Sequence, residues 1–199
     1  MPSNVKVNMT KEQFLQRFQM RALPASTHSF RYQHKLKHAA VLVPIVINKE
    51  HNQLNVLLTR RASHLKHHAG QISFPGGKVE PSDTSLIATA LRETEEEIGL
   101  KAKYIQVLGQ LPVYQTLTGY EITPVIAFTE QIKHYPFDKN EVAEVFQVPL
   151  SHFLIRSKHV QVPIFSRGKT HNVHFMPYQE HNIWGATAAI LHDLSVLLN

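Results

Sequence analysis

Residues 83–99 read DTSLIATALRETEEEIG, and the fold turns on how this stretch is read. At about 100° per residue, Ile87, Ala90, Leu91, Thr94 and Ile98 share one side and predict a core-facing stripe. Asp83 is the expected N-cap and Gly99 the expected stop, which predicts a helix over 83–98. Its final turn carries Glu93, Glu95, Glu96 and Glu97. The carbonyl end of a helix bears partial negative charge, so acids sit there at a cost. Carboxylates three and four residues apart also repel. Glu93, Glu96 and Glu97 lie together beside the apolar stripe, whereas Glu95 points away and reads as solvated. A run of glutamates on a helix is often no more than a wet face. Three on one side within a turn also suit a hard divalent cation, because Mg²⁺ and Mn²⁺ take oxygen ligands and keep positions for waters and phosphates.

The residues upstream strengthen the second reading. Pro75-Gly76-Gly77 predicts a turn whose backbone can approach a ligand closely. Before it runs RRASHLKHH, 60–68, the densest basic group in the chain and a candidate phosphate contact. The neutral alternative, that these charges only keep a loop solvated, stays open. Together the pieces point to metal-assisted hydrolysis of a phosphate anhydride.

Composition sets the bounds. The chain has 199 residues, 43% hydrophobic and 18% charged, which fits one globular domain with a real core. It has no cysteine, so disulfides, thiolate metal sites and cysteine nucleophiles are excluded. A net charge of +6 suits an anionic partner. No nucleic-acid module or basic–aromatic platform is visible, so a small phosphorylated metabolite is expected and nucleic acid is not. AAVLVPIVI, 39–47, is too short to span a bilayer, and MPSNVKVNMTKEQF lacks a secretory apolar core. A cytoplasmic location without membrane contact is the expectation.

Along the chain, Thr10 and Gln13 suggest a capping box for a helix carrying Phe14, Leu15 and Phe18. A polar loop is expected over 26–37. Strands are expected over 39–47 and 54–59, joined as a hairpin through NKEHNQ. Further strands are expected over 104–111 and 121–128, with TLTGY as the turn before the second. EVAEVFQVPL, 141–150, reads as a loop entering a short strand or turn. A late hairpin is expected around Arg167-Gly168, then a closing helix in IWGATAAILHDLSVLL with Trp184 in the core. Tyr114 and Tyr120 read as packing residues that could instead stack on an adenine. The 14 histidines offer no zinc spacing, and no histidine metal site is expected. The division expected is an extension over 1–38 and one domain over 39–199, of α/β or α+β class.

Two motifs carry a resemblance. Gly77 with 92–100, RETEEEIGL, resembles the Nudix box, G-x5-E-x7-R-E-U-x-E-E-x-G-U, where U is apolar. Fourteen residues separate Gly77 from Arg92 where the pattern has 13, and Thr94 stands at the first U. Counting forward puts Asp83 at the early acid and counting back puts Thr84 there, with Glu80 another substitute. Leu57–Gly77, LLTRRASHLKHHAGQISFPGG, is similar to LLT-x-R-S-x3-R-x3-G-x3-F-P-G-G of the coenzyme A pyrophosphatase subgroup. Ala62 replaces the Ser, and Lys66 replaces an Arg without its planar two-pronged grip. LPVYQTLTGYEITPV and IWGATAAIL also resemble the subgroup, so the likeness covers most of the chain from about residue 39.

The resemblance implies an α/β/α sandwich around a mixed sheet. It implies Mg²⁺- or Mn²⁺-dependent cleavage of coenzyme A or its derivatives into 3′,5′-ADP and 4′-phosphopantetheine, or the acyl form. Carried over by position, Glu93 and Glu97 are metal ligands, and Glu96 is a ligand or the water-activating base. Glu141 and Glu144 are further candidates for the base, or plain surface acids. Arg92 braces the loop through an acid, with Asp83 the first candidate. Arg60, Arg61 or Lys66, with the Gly76 and Gly77 backbone, contact substrate. The alternatives are a Nudix hydrolase of ADP-ribose, a nucleoside triphosphate or a dinucleotide, and a non-catalytic nucleotide- or RNA-binding module. Oligomeric state is open, a homodimer included.

Overall fold

The apolar strands at 39–47 and 54–59 cannot bury both faces alone, and in the computed structural model they become the centre of a three-layer sandwich. Residues 9–21, 36–48, 53–132, 134–166 and 168–199 are described. In chain order the elements are α1 (Lys11–Met20), β1 (Lys37–Asn48), β2 (Gln53–Arg61), β3 (Ile72–Ser73), β4 (Gly76–Lys78) and α2 (Leu86–Ile98). A 3₁₀ turn at Ala102–Tyr104 leads to β5 (Ile105–Gln110), β6 (Tyr114–Gln115) and β7 (Tyr120–Glu130). After these come β8 (Val142–Pro149), α3 (Leu150–Leu154), β9 (Val160–Ser166), β10 (Lys169–Phe175) and α4 (Gly185–Leu198).

The main sheet is mixed. β1 runs parallel to β7 from Lys37↔Tyr120 to Ile47↔Glu130, and pairs antiparallel with β2 from Ile45↔Val56 to Asn48↔Gln53. Beyond that ladder β1 and β2 separate, and the 72–78 segment fills the gap. There β3 pairs with β2, and β4 pairs with β1. β8 lies on the other edge of β2. β9 and β10 form a separate two-stranded sheet.

Alternation along the strands sends side chains to two cores. Val43, Ile45, Val56, Leu58, Ile126 and Phe128 meet α1, α3 and α4 on one face. Ala40, Leu42, Val125 and Ala127 meet α2 on the other, with Leu57, Ile98 and Leu100 beside them. Phe14 of α1 is fully buried against Phe128, 5.1 Å between ring centroids. The capping box at Thr10 and Gln13 is present. Arg17 donates to the Leu198 carbonyl and Arg21 to the Leu197 carbonyl at 3.3 Å, so α1 serves carbonyls at the end of α4 that have no partner within the helix. The N-terminal helix is thus part of the core on the face away from α2.

Four expectations are corrected. Helix α2 begins at Leu86, and its N-cap is Ser85, whose hydroxyl accepts from Ala88 N at 3.1 Å, so Asp83 lies before it. Pro75-Gly76-Gly77 does not form a simple turn: both glycines are in β4, with Gly77 opposite Ala40 and Gly76 opposite Val41. Gly76 adopts φ +154°, and a Cβ there would meet Ala40 O at 2.4 Å, so glycine is required by close backbone approach. Residues 142–149 form an eight-residue strand, since pairing along β2 outweighs the polar residues that interrupt its pattern. Trp184 is 39% exposed at the mouth of α4 rather than in the core. Of the loop expected over 26–37, Lys37 opens β1 while residues 26–35 lie outside the described residues, as do 49–52; β9 and β10 pair antiparallel as the late hairpin, and the turn at Thr116–Tyr120 forms.

Candidate active site

Helix α2 is placed by its apolar side, and that placement decides where the glutamates go. Ala90, Thr94 and Ile98 are buried against the sheet, with the Thr94 hydroxyl donating to the Ala90 carbonyl at 2.6 Å. Gly99 closes the helix at φ +67°, its N–H donating to the Glu95 carbonyl at 2.9 Å. The geometry carries Glu97 inward, where it is 3% exposed, while Glu95 stays in solvent.

The Glu97 carboxylate accepts from the Gly76 N–H at 3.3 Å and faces Arg61 at 3.7 Å. Burial pushes its carboxyl up to about 8; Arg61 and the Gly76 amide pull down, and Glu93 and Glu141 push up further. Burial also raises Glu93, against the pull of Arg92. A Cβ on Gly77 would lie 2.4 Å from the Glu93 carboxyl, so the absence of a side chain there makes room for that group.

Arg92 holds the approach together. Its Nε and Nη2 donate to the two Asp83 oxygens at 2.9 and 3.0 Å, a two-pronged pair, and Nη2 also donates to the Lys78 carbonyl at 3.1 Å. Asp83 further accepts from Glu80 N and the Thr89 hydroxyl, at 2.8 and 2.9 Å. The guanidinium holds the Asp83 carboxyl well below the usual carboxylate range, with the Glu80 amide and Thr89 hydroxyl adding to it. Of the candidates for the early acid, the structure puts Asp83 on Arg92. Arg92 Nη1 donates to Glu93 at 3.1 Å and to Glu96 at 2.9 Å.

The other candidate residues divide between the two faces. Arg61 faces α2, and its Nε is buried with no hydrogen-bond partner among the described residues. Arg60, one residue earlier, leaves the opposite face of β2 and pairs with Glu144 at 2.9 Å. Glu144 therefore stands across the sheet from Glu97, beside His181, whose ring stacks on Phe146 at 3.8 Å. Glu141 stays near enough to Glu93 and Glu97 for its charge to act on both. The ladder slips between Arg60↔Glu144 and Arg61↔Val142, leaving Ala143 as the extra residue that allows this split. Lys66 is exposed in the loop after β2, and His68 holds Gln71 at 2.8 Å. On the Arg60 side a cavity of about 560 Å³ is lined by Gly70, Gln71, Glu144, His181, Asn182 and Trp184. Sequence reasoning missed these last two, and a single tryptophan just before the last helix was the available signal.

The donor set fits a hard divalent cation. Two shielded carboxylates, an unpartnered guanidinium nitrogen on Arg61 and a backbone free of side chains are what an ion carrying a phosphate requires. Among the described residues no three His, Cys, Asp or Glu groups form a ready-made cage. Glu93 and Glu97 are the residues that would hold the ion, with Glu96 reached once it leaves Arg92; waters and substrate oxygens complete such a shell.

Comparison with known proteins agrees with this architecture. The NUDIX domain family model matches residues 36–193. A protein named "Uncharacterized Nudix hydrolase NudL" from Photorhabdus laumondii is 42% identical over 182 residues, covering 92% of this chain and 94% of the relative. One of the same name from Escherichia coli is 38% identical over 189 residues, covering 95% of each. Among solved structures, a Nudix hydrolase from Alicyclobacillus acidocaldarius has TM-score 0.51 at 18% identity, covering 84% of this chain and 95% of that one. A MutT/nudix protein from Enterococcus faecalis has TM-score 0.50 at 19% identity, covering 95% and 67%. These two share the fold.

Proposed function

This chain belongs to the Nudix family and is a Nudix hydrolase, and from that premise we propose that it cleaves the diphosphate of coenzyme A and its derivatives, yielding 3′,5′-ADP and 4′-phosphopantetheine or its acyl form. One observation carries the reading: the two motifs that are separate in sequence close on one point, Arg61 of the first lying 3.7 Å from Glu97 of the second. Gly76, also of the first, donates its amide to the same carboxylate.

Mg²⁺ or Mn²⁺ held by Glu93 and Glu97 would supply Lewis-acid neutralisation of phosphate oxygens and lower the pKa of a water. The chain's own residues do the rest. Arg61 offers its buried Nε to a phosphate oxygen, a charge-assisted bond that strengthens as negative charge develops. Gly77 keeps side-chain bulk away from the carboxylates. Arg92, fixed by Asp83, sets the height of the glutamate turn against the loop. Glu96, 59% exposed, and Glu141 stand where either can take a proton from an attacking water. Lys66, exposed in the loop after β2, is left to meet an outlying phosphate, since Arg60 leaves the opposite face of β2 and pairs with Glu144. Cytoplasmic residence fits a substrate of this kind, and no helix among the described residues is long and apolar enough to cross a membrane.

The experiment is a substrate panel with Mg²⁺ and with Mn²⁺: coenzyme A, its dephospho form, ADP-ribose, a dinucleotide and a nucleoside triphosphate. The expected result is the highest kcat/KM on coenzyme A, with Arg61→Gln lowering it on every diphosphate. Faster turnover of ADP-ribose or a triphosphate would move the protein to another Nudix substrate class. Salt-sensitive RNA binding without hydrolysis of any diphosphate would contradict the enzymatic reading.

A further inference from the structure

Helix α2 ends beside the loop that enters β8, and the two are bonded at the carboxylate centre. The last carbonyls of a helix have no partner within it. Gly99 serves the carbonyl of Glu95, and the carbonyl of Glu97 accepts from the Asp138 N–H at 3.0 Å. Pro136 closes on the same corner: a Cβ on Gly99 would meet its ring at 2.5 Å. Tyr135 and Val142, at the two ends of the loop, are buried with Ile98 and Leu100. The loop is therefore fixed to the residue whose carboxylate faces Arg61.

Within the loop one exposed side chain makes the turn. Asp138 Oδ1 accepts from the backbone N–H and the side-chain amide of Asn140, both at 2.9 Å, which folds the chain back two residues on. The Asp138 carbonyl accepts from the N–H groups of Glu141 and Val142 at 3.1 and 2.8 Å. The Glu141 carbonyl accepts from Ala62 N–H at 2.8 Å, next to Arg61. Both peptide groups of Glu141 are thus held, one through Asp138 to α2 and the other to the end of β2. Its side chain is uncommitted: the carboxylate makes no hydrogen bond or ion pair among the described residues, and its charge reaches both Glu93 and Glu97. Glu96, by contrast, is tied to Arg92. A fixed backbone under a free carboxylate is what a proton acceptor in this place requires.

Resting on the metal-assisted diphosphate cleavage proposed above, whichever diphosphate is the substrate, we propose that Asp138 is a positioning residue whose turn sets Glu141 at the carboxylate centre as the proton acceptor of the reaction. In that step the water oxygen bonds to phosphorus while its proton passes to the Glu141 carboxylate. The P–O bond to the leaving phosphate breaks with its electron pair. Glu141, being exposed, then gives the proton to solvent. Asp138 does not touch substrate; it acts through the backbone that joins Glu141 to Glu97.

The test measures kcat, KM and calorimetric Mn²⁺ affinity, on the best diphosphate of the substrate panel, for Asp138→Ala, Asp138→Asn, Glu141→Gln and the double variant Asp138→Ala/Glu141→Gln. Both positions are exposed, so the fold tolerates the changes. Glu141→Gln is expected to lower kcat by about 100-fold or more, the worth of a general base. Asp138→Ala is expected to lower it by about tenfold, the cost of a misplaced group, with KM and Mn²⁺ affinity unchanged. Asp138→Asn keeps the Oδ1 acceptor and should restore kcat. The double variant should be no slower than Glu141→Gln alone, since displacing a base already removed has no further effect. Near-wild-type kcat in Glu141→Gln, failure of Asp138→Asn to rescue, or losses that multiply in the double variant overturns the inference. A fall in Mn²⁺ affinity that matches the fall in kcat of Asp138→Ala also overturns it, by making Asp138 a support of Glu97 instead. Failure of coenzyme A as a substrate overturns only the substrate reading, because the variants are compared on whichever diphosphate is cleaved; cleavage of none overturns both.

Discussion

At neutral pH the Glu97 carboxyl of the metal-free protein, pushed up to about 8 by burial, keeps its proton most of the time. Its folded value exceeds the ordinary glutamate value of about 4.5, so folding takes up a proton between the two. The resulting stability is fully present below about pH 4.5 and is lost as pH rises through about 8. Metal-free wild type should therefore melt at progressively lower temperature across this window, and Glu97→Gln should flatten the trend, both read by calorimetry. Asp83 acts with the opposite sign: its lowered carboxyl stabilises above the usual carboxylate range and loses that contribution only in more acid solution. The same Glu97→Gln variant should lose about two orders of magnitude or more in kcat, because several kcal/mol of charge stabilisation go with the ion. Gly77→Ala gives a different signature. Its new Cβ meets the far end of the flexible Glu93 side chain rather than backbone, so the fold should survive while Mg²⁺ affinity falls. Near-wild-type Mg²⁺ dependence of kcat in that variant would remove Glu93 from the ion's shell.

Among the elements, the loop-to-helix passage from β4 to α2 matters most, and two side chains, Ser85 and Asp83, divide its work. Ser85→Ala removes the N-cap and should cost about 1 kcal/mol in denaturant unfolding, with kcat little changed. Asp83→Ala instead releases Arg92, which already touches Glu93 and Glu96 and would be drawn further onto them. Weaker Mg²⁺ affinity, by about 10–100-fold, is the expected result, as for other residues that orient metal ligands from behind. The sequence showed the helix, its apolar stripe and its glycine stop because these depend on local periodicity. It pointed to Asp83 as the cap where Ser85 does the capping, because both are good cap residues and differ only in what lies across the loop. Nor could it show that Gly76 and Gly77 join a strand, because glycine pairs announce turns, and the close approach of Ala40 and Val41 is a tertiary fact. β8 was hidden because its polar residues face partners that only the fold supplies, Arg60 for Glu144 and Asn55 for Gln147.

Over the whole molecule, the sheet separates support from chemistry. α1 and α4 build the core behind the sheet, while α2 carries the carboxylates in front. Phe14→Ala should therefore cost about 3–5 kcal/mol in stability, as an emptied aromatic site does, and leave KM unaltered where the protein remains folded. A changed KM would mean that α1 reaches the substrate. The sandwich class was legible because a dense motif fixes it, and the same motif names the carboxylates proposed to hold the ion. The opposite orientations of Arg60 and Arg61 were not, since neighbouring residues look equivalent until strand alternation and the skipped Ala143 assign their faces. The exposure of Trp184 was equally hidden, for a tryptophan beside an apolar helix reads as core in any one-dimensional pattern.

Calorimetric titration of Mn²⁺ into the wild type and Glu97→Gln, each with a non-hydrolysable diphosphate analogue present, addresses the carboxylate centre most directly. Saturable binding in the wild type that is lost or greatly weakened in Glu97→Gln is the predicted result. Absence of saturable binding in the wild type, or equal binding by both proteins, would contradict the assignment of divalent ions to the end of α2.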